Sequence, residues 1–84
     1  MKDDLQTIEP LLLSAEQAAR LLGIGRSKFY AMHSAGQVPL PVSLGGCVRW
    51  DRRELSAWVS ARNPQTGLLP SRQQWAEIQS QKKT

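Results

Sequence analysis

The sequence predicts a mainly α fold with one small β-hairpin, in the order helix, turn, helix, hairpin, helix. Three observations predict it. Two short helical patterns are separated by Gly23-Ile24-Gly25, where a continuous helix would lose roughly 1 kcal/mol at each glycine relative to alanine. Two β-prone runs flank Gly45-Gly46, which is a hairpin signal. Asp51 and Glu54 stand at capping-box spacing ahead of a further apolar run,.

The totals bound what such a chain does. Its 84 residues, with a hydrophobic fraction of 40%, suit one small core,. The 3 Trp residues are expected to supply much of the buried area,. One Cys and one His exclude an intramolecular disulfide and leave a metal site almost no ligands,. The start, MKDDLQTIEP, has no apolar h-region, and no run approaches the ~20 apolar residues that span a bilayer,. The expected location is the bacterial cytoplasm, with no membrane association.

Each element has its own warrant. Residues 1–10 form a polar tail, residues 11–62 the domain, and residues 63–84 a C-terminal extension. Leu11 to Leu13 make an extended entry. Ser14 and Gln17 then fit a capping box, after which Ala15, Ala18, Ala19 and Leu22 share one helical face,. Gly23 takes the left-handed conformation that ends a helix at little cost. A second helix over about 26–34 turns Phe29, Met32 and His33 inward and Ser27, Ala31 and Ser34 outward, with Lys28 and Tyr30 on the flanks. Gly36 ends it, and Pro39 and Pro41 keep the chain extended,.

The hairpin spans about 42–50, with Gly45 and Gly46 at its tip. Alternation places Val48 and Trp50 inward and Arg49 outward, whereas a strict two-residue turn puts Arg49 on the face of Val42 and Leu44. The turn type stays open between these readings. Leu55, Trp58 and Val59 give the third helix an apolar face, with its end near Asn63-Pro64. Ser71 and Gln74 cap a short fourth helix whose apolar contacts are Trp75 and Ile78.

Two short helices joined by a tight turn, the second beginning Arg26-Ser27-Lys28, describe a helix-turn-helix; the hairpin then serves as a wing. Charge agrees with this. From Arg20 to Arg53, six basic side chains face Asp51 alone, while the first ten residues set Lys2 against Asp3, Asp4 and Glu9. A positive middle behind an acidic leader is the footprint of a polyanion-binding domain.

The pieces LLSAEQAARLLGIGRSKFYAM, GQVPLPVSLGG, VRW and ELSAWVSAR, from about Leu12 to Arg62, resemble the AlpA-type prophage regulators. These belong to the excisionase-like branch of the MerR-type winged helix-turn-helix superfamily. The resemblance implies a small phage or mobile-element protein that regulates promoters or bends DNA for excision. Two positions depart from the pattern. Ser43 and Cys47 stand where relatives tend to carry basic wing residues, and Gly25 stands where a polar cap is common.

The expected DNA contacts follow. Arg26 and Lys28 divide a base edge and a phosphate between them, with guanine the natural partner of Arg26. Ser27 either bonds DNA or starts the helix, and Tyr30 either reaches DNA with its hydroxyl or covers the core. Arg49 is the wing contact. Arg52 and Arg53, which oppose a helix dipole, are phosphate clamps; Arg20 either touches phosphate or is solvated. His33 is a core or capping histidine, Cys47 a small strand residue.

No enzyme is expected. Ser14 has no His or acid partner, and Gly23-Ile24-Gly25 lacks the strand that precedes a nucleotide loop,. No cofactor, metal or small-molecule ligand is expected. The leading function is sequence-specific binding of double-stranded DNA by a transcription regulator. A second is a recombination directionality factor that bends DNA and assists an integrase. A third, of another class, is a protein-interaction adaptor. Useful specificity from so small a domain requires two or more copies on neighbouring sites. Trp75 and Ile78 either mediate that self-association or fold back on the core.

Overall fold

The computed structural model describes residues 10–82. The 1–9 part of the polar tail and the last two residues lie outside the described residues. The elements are β1 (Leu12–Leu13), α1 (Ala15–Leu22), α2 (Arg26–Ser34), β2 (Val42–Leu44), β3 (Cys47–Asp51), α3 (Arg52–Ser60) and α4 (Arg72–Lys82). No described helix is long and apolar enough to cross a membrane.

Local chemistry sets the helix ends. Ser14 Oγ accepts the Gln17 N–H at 3.2 Å, and Gln17 Oε1 accepts the Ser14 N–H at 3.0 Å, which completes a capping box,. Gly23 closes α1 at φ 76°, ψ 27°. The Ile24 N–H then returns to the Ala19 carbonyl at 3.0 Å. This places Ile24, half-buried, against the core between the two helices.

The three strands form one antiparallel sheet in the order β1-β3-β2. Leu12 pairs with Asp51 and Leu13 with Trp50; across the hairpin, Val42 pairs with Arg49, Ser43 with Val48 and Leu44 with Cys47. The loop therefore has two residues, Gly45 at φ 50° and Gly46 at φ 98°. Both central residues have positive φ, as a type I′ turn requires. Arg49 consequently shares a face with Val42 and Leu44. Val48 corrects the expectation of an inward residue: it lies on the Trp50 face but is 45% exposed. The hairpin extends past the core, so alternation buries Trp50 at its base and leaves Val48 bare nearer the tip.

The core joins β1, β3, all four helices and the loop after α2: Leu13, Ala18, Phe29, Val38, Trp50, Leu55, Trp58 and Trp75 are buried. The Phe29 and Trp50 rings meet edge to face at 4.8 Å, a favourable aromatic geometry. Every indole N–H has an acceptor. Trp50 donates to the Pro39 carbonyl at 3.1 Å, Trp58 to the Pro70 carbonyl at 2.9 Å, and Trp75 to Glu54 Oε2 at 2.9 Å.

The last of these bonds alters the expected cap of α3. Asp51 Oδ1 accepts the Arg53 and Glu54 N–H groups. Glu54 does not reach back to complete the box, because its carboxylate takes the Trp75 indole instead. α3 also ends at Ser60, before the expected Asn63-Pro64. Asn63 belongs to the following turn, where its Oδ1 accepts the Gln65 and Thr66 N–H groups.

The C-terminal extension packs on the core. Ser71 and Gln74 form a reciprocal box at 3.2 and 2.9 Å, which starts α4. Trp75 is 3% exposed and Ile78 half-buried against the same core. Of the two readings of Trp75 and Ile78, the packing seen is the fold back on the core, with the Trp75 indole an internal group.

Candidate nucleic-acid interface

α2 is built to keep one side bare. Phe29 is fully buried, Met32 and His33 are half-buried, and Arg26, Ser27, Lys28, Tyr30, Ala31 and Ser34 are exposed. At 3.6 residues per turn, Ser27, Ala31 and Ser34 make a ridge of small side chains opposite Phe29. Arg26 and Lys28 project on either side of it. The ridge lets the backbone approach a concave surface closely while two cations flank the contact.

Both cations are available. Neither Arg26 nor Lys28 has an ion-pair partner among the described residues, and no acidic residue lies in the first turn of α2. Gly25 caps the helix without a side-chain hydrogen bond. The N-terminal N–H groups of α2 therefore face solvent beside two positive side chains, an arrangement that attracts phosphate. Tyr30 is 49% exposed and its ring touches Phe29 edge to face at 6.5 Å. Its ring thus leans on the buried Phe29 while about half of the residue stays exposed, which accommodates both sequence readings.

The remaining basic residues differ in circumstance. Arg49 is half-buried, and its Nη1 donates to the Val48 carbonyl at 2.7 Å, which holds it along the hairpin. The rest of the wing is apolar or weakly polar, with Val42, Leu44, Cys47 and Val48 exposed around Gly45 and Gly46. Arg52 is tied to the entry segment. Its backbone N–H donates to the Leu11 carbonyl at 2.9 Å and its Nε to the Pro10 carbonyl at 3.2 Å. Arg53 is exposed in the first turn of α3. Arg20 is exposed and sits 3.6 Å from Glu16, one helical turn earlier.

These cations fall into groups. Arg26 and Lys28 belong to the exposed side of α2. Arg20 and Arg52 line one shallow groove with Gln17 and Leu21, while Arg52 and Arg53 line a second with Leu21 and Leu22. Arg49 lines neither.

One residue that organises this region carries no signal in the hydrophobic pattern. Arg72, in the first turn of α4, reaches the end of α2 and bonds His33. A cation at a helix N-terminus opposes the dipole, the same oddity that marks Arg52 and Arg53, and that was the available clue.

Two helices at a tight glycine turn, a bare basic second helix and a wing hairpin with a two-residue turn define a winged helix-turn-helix domain. A helix-turn-helix domain family model matches residues 12–63, more than half the chain. The chain belongs to the helix-turn-helix domain family, and its biochemical class is DNA binding. No curated protein and no solved structure matched it.

Proposed function

We propose that this protein is a sequence-specific regulator of transcription, of phage or mobile-element origin, that reads double-stranded DNA with α2 in the major groove. The observation that carries this reading is the bare side of α2. Arg26 and Lys28 stand without ion-pair partners among the described residues, on either side of the Ser27, Ala31, Ser34 ridge, while the opposite face is anchored by buried Phe29. Arg26 suits a guanine edge, Lys28 and Ser27 the backbone, and Arg49 the flank beside the wing. The AlpA-like pieces of the sequence support the mobile-element origin.

The exposed wing residues Val42, Leu44 and Val48 make the wing a poor electrostatic grip, so α2 supplies most of the discrimination. One domain covers about half a turn of major groove, and neighbouring copies are needed for a useful specificity ratio.

The test is selection of bound duplexes from random and genomic fragments across a salt series. With ~4–6 phosphates contacted, log K falls against log salt with a slope of about −4 to −5. A recovered motif near promoters supports the regulator; a motif at an attachment site makes the protein a recombination factor. Absence of duplex binding at low salt refutes the DNA reading.

A further inference from the structure

A single side chain from α4 holds the segment that joins α2 to the wing. Arg72 Nη2 donates to the His33 carbonyl at 3.0 Å and lies 3.1 Å from His33 Nδ1, while Nε donates to the Val38 carbonyl at 3.0 Å. The Arg72 backbone N–H donates to the Gly36 carbonyl at 2.9 Å. His33 lies in the last turn of α2. Val38 is fully buried, and the carbonyl of the next residue, Pro39, takes the indole N–H of Trp50 in β3. Residues 33–39 are thus pinned from one side by α4 and from the other by β3.

Electrostatics and geometry both favour this placement. A cation is unfavourable at the start of α4 but favourable at the carbonyl end of α2, where the guanidinium lies. The planar fork reaches acceptors on two segments at once, which a lysine ammonium on a flexible stem does not reproduce. Because the guanidinium has no acceptor, His33 Nδ1 must be the acceptor in this pair, so the neutral ring carries its proton on Nε2. β3 presents the Trp50 ring to His33, edge-on at 5.2 Å.

We propose that Arg72 is a positioning residue for DNA reading: by tying the end of α2 to the loop leading into the wing, it sets the angle between recognition helix and wing, with His33 Nδ1 as one acceptor of the tie. The inference rests on the DNA-reading function and adds its control by α4. Arg72 acts through α2 and not by touching phosphate.

The test compares the full-length protein with Arg72→Met and Arg72→Lys on a selected duplex and on a random duplex of equal length. Arg72→Met keeps much of the side-chain stem and removes the fork. Both variants are checked by circular dichroism and thermal melting. The expected result is a loss of about tenfold on the selected duplex alone, with an unchanged salt slope and little recovery in Arg72→Lys. A second measurement needs no Arg72 variant to fold. His33→Asn, whose Oδ1 replaces the acceptor, is expected to keep the parent's selected-to-random affinity ratio, whereas His33→Leu, which offers Arg72 no side-chain acceptor, is expected to lower it.

Other outcomes overturn the proposal. Equal losses on both duplexes, with a salt slope shallower by about one, make Arg72 a phosphate contact. Unchanged binding in a folded Arg72→Met, or equal affinity ratios in His33→Asn and His33→Leu, removes the positioning role while DNA reading stands. A parent protein that binds no duplex at all removes both.

Discussion

Arg26 and Lys28 carry the same charge two positions apart on α2, yet different chemistry is expected of them. A guanidinium fork pairs with the two acceptors of a guanine edge, whereas an ammonium acts as a point charge on phosphate. Arg26→Ala is expected to cost ~1–3 kcal/mol on the preferred sequence and to relax preference at one base position. Lys28→Ala is expected to weaken all sequences alike and to make the salt slope shallower by about one. Titrations of both variants on a panel of single-base site variants check this, and identical profiles would refute the division of roles. At this scale the sequence was a good guide within α2, because a 3.6-residue period sorts side chains into inner and outer without knowledge of anything distant. It was a poorer guide to Arg49, Arg52 and Arg72. Their bonds go to Val48, Pro10, Val38 and His33, and all four of those acceptors are backbone carbonyls, which no residue type announces.

Among the elements, the helix starts were legible because capping is a contact between residues three apart. Ser14 with Gln17 and Ser71 with Gln74 form as their spacing predicts. α2 is the exception, since Gly25 offers it no side chain. Gly25 has an extended φ of −79°, and a Cβ there would meet nothing within 4 Å. Gly25→Ser is therefore expected to stabilise the fold by about 0.5–1 kcal/mol, through a new cap and a less free unfolded chain. Thermal melting should show a rise of ~2–8 °C; a lowered midpoint would contradict the strain-free reading of this position. The wing shows the limit of local reasoning from the other side. Gly45-Gly46 announced a turn, but strand register decides which face each residue takes, and burial ends where the core ends. Val48 is bare for that reason, although it alternates correctly with Trp50.

Across the whole molecule, the third tryptophan is the decisive packing fact. Trp75 is buried 21 positions beyond its partner Glu54, and Trp58 donates to Pro70 across 12 positions. A domain of this size has a total stability of ~4–13 kcal/mol, and deleting a buried Trp side chain costs ~3–5 kcal/mol. Trp75→Ala is accordingly expected to remove a large share of the stability. A chain ending at residue 63 is expected to lose its cooperative thermal transition, although it contains the whole family match. A truncated chain that melts cooperatively near the parent temperature would show that α4 is dispensable.

The sequence by itself determined what depends on near neighbours and on sums: the helix periods, three of the four helix caps, the glycine turns and the positive middle of the chain. From these the winged helix-turn-helix order and its basic second helix follow. Only the tertiary structure decided that α4 closes the core, that Glu54 serves Trp75 instead of its own helix cap, and that Arg72 holds the end of α2. Such contacts join residues 21 to 39 positions apart. Their partners are selected by the shape left when the other elements have packed, and no local period in a sequence encodes that shape.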